Sequence, residues 1–167
     1  KEPVLPPTTA RSVARYDDTI TVRGVGNLLT NFAGCCKPVP GDMIIGYVTQ
    51  GRGVSIHRQD CSKILDLEFK EPDRIIEVDW GDTPQNTYPV DIEILAYDRS
   101  GLLRDITTML ANARIDVIAV NTRSEKSNNT ATMKLTLEIT GLDALNVMLS
   151  RIMRLPNVLS AQRVIEA

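Results

Sequence analysis

The sequence predicts an α+β protein in two parts, a small β-rich module over residues 19–82 followed by a ferredoxin-like βαββαβ domain over residues 87–167. Three observations predict it. Strand-like alternation of apolar and polar residues runs through both halves, whereas long helical stripes occur only in the second. Gly81 to Asn86 contains Gly, Pro and Asn but no apolar side chain, which makes it the clearest break in the chain. Residues 1–18, with Pro3, Pro6 and Pro7 and no apolar period, read as a linker.

In the first module Ile20, Val22 and Val25 alternate as a strand, and Asn27 to Phe32 fits a turn or two of helix before Gly34. Met43 to Thr49, the turn Gln50-Gly51-Arg52-Gly53 and Val54 to Ile56 read as a β-hairpin with Arg52 at its tip. Arg58 to Leu67 suits a short helix and Ile75 to Trp80 one further strand. The second half is easier to read. Val90, Ile92, Ile94 and Ala96 alternate, and Leu102, Leu103, Ile106, Met109, Leu110 and Ala113 recur at helical spacing behind Ser100 as the expected cap. A strand at Val117 to Val120, a turn at Ser127 to Asn129 and alternation from Met133 to Ile139 follow. Leu145, Met148, Leu149 and Ile152 then stripe a helix ahead of a last strand, Val158 to Ile165.

Composition limits the chemistry. The single histidine, His57, excludes a two-histidine metal site or an H-E-x-x-H protease, and there is neither a phosphate-binding G-x-x-x-x-G-K-[ST] loop nor a G-x-S-x-G elbow. Three cysteines are an odd count for a disulfide framework and point to a reducing compartment, with the cytoplasm as the expectation. No apolar run approaches the roughly 18 residues of a membrane span. A chain that opens on Lys1 without a signal-peptide layout reads as a piece of something longer. Residues 1–63 carry a net charge of +3 and residues 64–86 one of −5, so any phosphate-facing surface belongs to the first module.

Cys35, Cys36, His57 and Cys61 are the entire supply of soft metal ligands and fall within one short stretch. Thiolate and imidazole are the donors zinc prefers, and His57 and Cys61, four apart, would share a helix face. Adjacent cysteines depart from the usual C-x₂₋₄-C knuckle and point apart unless the backbone bends sharply, so buried thiols with a hydrogen-bonded histidine, or a reactive thiol pair, fit the same residues. Tyr47, Gln50, Arg52, Ser55, His57 and Arg58 place one aromatic, two cations and several donors on one hairpin, a pattern suited to RNA phosphates and a stacked base, although any polar hairpin looks similar. In the second domain the strand Ala131 to Thr140 lacks the aromatics with which an RNA-recognition sheet stacks bases. The turn Asp98-Arg99-Ser100-Gly101-Leu102 instead offers a helix amino terminus to a carboxylate, with Asp98 for an ammonium; an ordinary capped turn looks the same.

Taken together, these segments resemble a known family. Asp98-Arg99-Ser100-Gly101-Leu102-Leu103-Arg104-Asp105-Ile106 resembles the opening of an ACT domain. Cys35-Cys36-Lys37-Pro38-Val39-Pro40-Gly41-Asp42, with Gly51-Arg52-Gly53-Val54-Ser55-Ile56-His57-Arg58-Gln59-Asp60-Cys61, resembles the zinc-finger-like (RIS) module that precedes it in the long alarmone synthetases of the RelA/SpoT family, closest to the RelA branch. The resemblance implies a parent GTP pyrophosphokinase (GTP diphosphokinase) that makes (p)ppGpp in the stringent response, with synthetase and hydrolase domains upstream; a SpoT-like bifunctional parent fits too. It implies that this piece is regulatory and not itself an enzyme, and that it contacts large-subunit ribosomal RNA and uncharged tRNA. On the same resemblance Cys35, Cys36, His57 and Cys61 match the family's cysteine/histidine cluster and would be the zinc ligands, and Arg52 and Arg58 fall in the segment expected to face RNA. Asp98, Ser100, Gly101 and Leu102 would hold a branched-chain amino acid, as in some relatives. An exposed ACT sheet face would allow a homodimer.

Overall fold

The computed structural model describes residues 20–22, 29–51, 53–81, 86–98 and 100–165. The linker expected over residues 1–18, the tip residue Arg52, and Val25 lie outside them. The first module contains strands β1 (Ile20–Val22), β2 (Thr30–Phe32), β3 (Ile44–Val48) and β4 (Val54–Arg58), helix α1 (Ser62–Lys70), a 3₁₀ turn at Pro72–Arg74, and strands β5 (Ile75–Ile76) and β6 (Val78–Trp80). The second contains β7 (Tyr88–Tyr97), α2 (Leu102–Asn112), β8 (Asp116–Glu125), β9 (Thr130–Ile139), α3 (Leu142–Met153) and β10 (Val158–Arg163).

The expected hairpin is β3–β4, antiparallel from Ile44 opposite Arg58 to Val48 opposite Val54. Its loop needs glycine. Gly51 and Gly53 have φ of +76° and +81°, and a Cβ on Gly53 would lie 2.2 Å from the Leu29 carbonyl oxygen. The helix expected at Asn27 to Phe32 is not formed over its described part: Thr30 to Phe32 are strand β2, parallel to β4, because β4 has a free edge there and Thr30 and Phe32 suit a sheet better than an isolated turn of helix. The strand expected over Ile75 to Trp80 divides in two, β5 pairing with β3 and β6 with β1. Ile20, Ile44, Val54, Ile56 and Val78 form this module's core.

The second module has the expected βαββαβ order, with sheet order β10-β7-β9-β8. One face of β7 and β9 (Val90, Ile92, Ile94, Ala96; Ala131, Met133, Leu135, Leu137, Ile139) packs against Leu102, Ile106 and Leu110 of α2 and Leu145, Met148 and Ile152 of α3. Each of these side chains is less than 5% exposed, and each buried Leu or Ile contributes roughly 1.5–3 kcal/mol. Ser100 is not the cap of α2. Gly101 is, at φ +82°, a conformation glycine adopts without strain, and no side chain bonds the helix end.

Phe32, Trp80 and Tyr88, three of only seven aromatics, meet where the modules join, with ring centroids 5.6–5.8 Å apart. Trp80, the sole tryptophan, also donates Nε1–H to the Asp42 carbonyl at 3.0 Å.

Candidate metal centre

Cys35 and Cys36 follow β2 in a tight turn where the Lys37 amide bonds back to the Ala33 carbonyl at 3.1 Å and Lys37 takes φ +44°. This is the sharp bend that adjacent cysteines require to face one point. Their sulfurs lie 3.9 Å apart. His57 comes from the end of β4, and Cys61 precedes the first turn of α1 after a reversal closed by the Cys61 amide on the Arg58 carbonyl. The expected shared helix face of His57 and Cys61 is therefore replaced by a strand end and a helix start, because Gln59 and Asp60 form the turn between them.

The four donor atoms all lie within 4.8 Å of one another. Cys35 Sγ is 3.4 Å from His57 Nδ1 and 3.6 Å from Cys61 Sγ, and Cys36 Sγ is 3.8 Å from His57 Nδ1. Zinc bonds of about 2.3 Å to sulfur and 2.0–2.1 Å to nitrogen, held tetrahedrally, separate sulfurs by about 3.8 Å and sulfur from nitrogen by about 3.5 Å. The set therefore fits a tetrahedral ion with little movement. All four positions are filled by protein, which is the closed pattern of a structural site and leaves no place for a reacting water.

The surroundings orient the donors. Ser55 Oγ sits 3.2 Å from His57 Nε2, so that accepting the Nε2 proton leaves the Nδ1 lone pair for the sulfurs. Burial, and then the Lys63 charge, hold His57 below its usual pKa, which favours the neutral imidazole that ligates. Burial pushes the Cys36 thiol up to about 12, although the Arg58 amide donates to it at 3.4 Å. Burial also raises Cys35. Burial would raise Cys61 as well, but the Ile64 amide, the Cys35 thiol and the Lys63 amide outweigh it and hold the thiol below its ordinary value.

The sequence-derived RNA set divides. His57 is 7% exposed and belongs to the cluster, and Arg58 is 9% exposed with its guanidinium on Asp60 at 2.6 Å. Both side chains turn inward because alternation past Ile56 brings His57 to the thiols and Arg58 under the following turn. Ser55 is half-buried beside His57. At the other expected site, Asp98 and Ser100 are exposed, Gly101 opens α2, and Leu102, 1% exposed, is a core residue of the sheet–helix interface.

What sequence reasoning missed is the strap that follows the cysteines. Lys37 Nζ pairs with Asp91 on β7 at 2.5 Å, and the Lys37 carbonyl accepts from Arg163 on β10 at 2.9 Å. Val39 is fully buried in the second module's core, and the Pro40 carbonyl accepts the Leu142 amide at the start of α3 at 2.8 Å. The Asp42 carboxylate takes both Arg163 nitrogens at 2.8 Å and the Val39 amide at 2.8 Å. Trp80 and Asp42 also line a cavity of about 290 Å³ between β3 and β6. The signal was the stiff Pro38-Val39-Pro40-Gly41 run, but, the Ala33 carbonyl aside, the partners that the strap from Lys37 to Asp42 finds outside itself lie 38 to 126 residues away.

Comparison with known proteins gives the same two-part division. Residues 20–81 match the RelA/SpoT RIS domain and residues 84–163 the ACT domain. The GTP pyrophosphokinase of Escherichia coli (strain K12) is 41% identical over 155 residues, 93% of this chain and 21% of that protein. That of Haemophilus influenzae is 44% identical over 144 residues, 86% of this chain and 19% of that protein. The chain thus spans about a fifth of the length of these relatives. The crystal structure of the ACT domain from GTP pyrophosphokinase of Chlorobium tepidum covers 47% of this chain and 99% of that one, at 15% identity and a TM-score of 0.42. With its Cys₃His cluster inside the first matched segment and its βαββαβ fold in the second, the chain belongs to the RelA/SpoT family as a RIS domain followed by an ACT domain, matching the carboxy-terminal region of the GTP pyrophosphokinases.

Proposed function

We propose that this chain is the regulatory carboxy-terminal part of a cytoplasmic GTP pyrophosphokinase that makes (p)ppGpp, and that it reports amino-acid starvation by contact with ribosomal RNA and uncharged tRNA. What carries the reading is the RIS–ACT pair, matched at 41% identity over 93% of the chain in an enzyme of which the matched stretch is only 21%. The closed Cys₃His set supports a structural role, in keeping with regulation rather than catalysis. Zinc, held by Cys35, Cys36, His57 and Cys61, would tie β2, β4 and α1 together and fix the base of the β3–β4 hairpin. The synthetase chemistry would belong to upstream domains.

RNA contact in this reading falls to the β3–β4 hairpin tip, because His57 and Arg58 are engaged inside. Co-sedimentation of the chain with purified ribosomes, with and without uncharged tRNA in the A site, tests it. Binding that strengthens with the tRNA is expected, and Arg52→Glu should weaken it more than Arg151→Glu on the exposed face of α3. Absence of binding in both states, or equal losses for the two variants, would overturn the assignment.

A further inference from the structure

The cysteine pair and the attachment of the ACT domain share one uninterrupted segment. Cys36 donates to the centre, and the very next residue, Lys37, already bonds to β7 through its side chain and to β10 through its carbonyl. No residue of slack separates the two. Pro38 and Pro40 fix two of the backbone φ angles that follow. Gly41, at φ +105°, passes so close to α3 that a Cβ there would lie 2.8 Å from Leu142 Cβ. The segment ends on Asp42, locked to Arg163 and to the Trp80 indole. A stiff lever of this kind cannot move at its cysteine end without moving at the other.

We propose that a metal ion held by Cys35, Cys36, His57 and Cys61 governs how the ACT domain docks on the RIS domain, with Lys37 to Asp42 as the strap that couples the two. The ion would bind most tightly to the conformation in which the strap is seated on β7, β10 and α3. By linkage, loosening the seat must weaken metal binding by the same factor as metal removal loosens the seat. This goes beyond the ribosome-sensing reading and does not depend on it; it rests only on the four donors forming a metal site.

The test reads the coupling from the far side. Asp91→Asn and Arg163→Met alter ACT-domain residues that touch no ligand of the centre, and both keep the four donors intact. Zinc affinity of the whole chain is measured by competition with a chromophoric chelator, and hydrogen exchange follows the Leu142 amide with and without zinc. The expected result is a loss of affinity of about tenfold for Arg163→Met, within the ordinary range of allosteric coupling, and a smaller loss for Asp91→Asn. On removing zinc from the unmodified chain, the Leu142 amide should exchange faster while amides of the β7–β9 ladder stay protected, which separates undocking from unfolding of the ACT domain. Affinities within twofold of the unmodified chain in both variants would overturn the coupling alone. A chain that takes up no zinc would overturn the centre itself, and the coupling with it.

Discussion

Arg163→Met removes the guanidinium that reaches across the seam to Asp42. In the folded chain the Arg163 side chain is 10% exposed and the Asp42 side chain 6%, with two nitrogen–oxygen contacts of 2.8 Å and a third bond from Arg163 to the Lys37 carbonyl at 2.9 Å. After the substitution the Asp42 carboxylate keeps only the Val39 amide among its partners, so a nearly buried charge is left without its counter-charge. Breaking a buried pair from one side costs about 3–5 kcal/mol, a large share of the roughly 5–15 kcal/mol that separates most folded domains from their unfolded chains. For a chain of this size each 1 kcal/mol lowers Tm by about 2–4 °C, which gives a fall of about 6–20 °C. Urea unfolding followed by Trp80 emission reads the seam directly, because that indole bonds to Asp42. Lys134→Met supplies the comparison. Its pair with Glu93 is 3.9 Å long and 64% and 35% exposed, so its loss should cost under about 1 kcal/mol. A loss for Arg163→Met no greater than that for Lys134→Met would refute the claim that the seam is held by a desolvated ion pair.

Three further outcomes follow from the same geometry. Gly41→Val should destabilise the chain by about 1–3 kcal/mol in the same urea assay, since φ +105° and a 2.8 Å approach to Leu142 Cβ both exclude a side chain, whereas Gly51→Ala, with open space around it, should cost less. Burial would raise the Asp91 pKa, but the Lys37 ammonium and the Thr136 hydroxyl outweigh it and hold the carboxyl below its usual value of 3.8. The unfolded chain therefore binds the proton first. Stability contributed by Asp91 is present above pH 3.8 and is lost as pH falls through the lower folded value, by at most about 1 kcal/mol for so exposed a pair. Urea midpoints taken from pH 5 downward should show that slope in the unmodified chain and a shallower one in Asp91→Asn. Ser55→Ala deletes the partner of His57 Nε2 and should weaken zinc binding about 10–100-fold in a chelator competition, with little change in the far-ultraviolet spectrum. Unchanged affinity would mean that Ser55 does not set the imidazole tautomer.

The ACT half was legible because local pattern and tertiary role agree there. Val90 to Ala96 and Met133 to Ile139 alternate, and each buried member lands on the helix side of the sheet. The RIS half was less so, since short strands take their identity from partners rather than from period. Thr30 to Phe32 became a strand because β4 offered an edge. The Cys/His cluster was readable from residue type alone, because a chain with one histidine and three cysteines has no other way to assemble thiols around an imidazole. Burial was not: a strand ending in His57-Arg58 gives no sign that both side chains turn inward, and that fact moves the expected RNA contact to the hairpin tip.

The segment from Cys35 to Asp42 shows why a motif can be recognised correctly and still be only half understood. Its two cysteines mark a candidate metal site, because thiol chemistry can be read locally. Its second half, Lys37-Pro38-Val39-Pro40-Gly41-Asp42, looks like a polar turn, yet every residue that gives it meaning lies far along the chain: Asp91, Leu142 and Arg163. A loop chosen only to present two thiols would need neither two prolines nor a buried valine. A valine gains nothing in a solvated loop, whereas in a strut it anchors the segment in the neighbouring core, and the preset φ angles of the two prolines reduce the entropy lost on docking. The cysteine end and the ACT end of the strut are therefore one structural element, and a substitution at either end should be felt at the other.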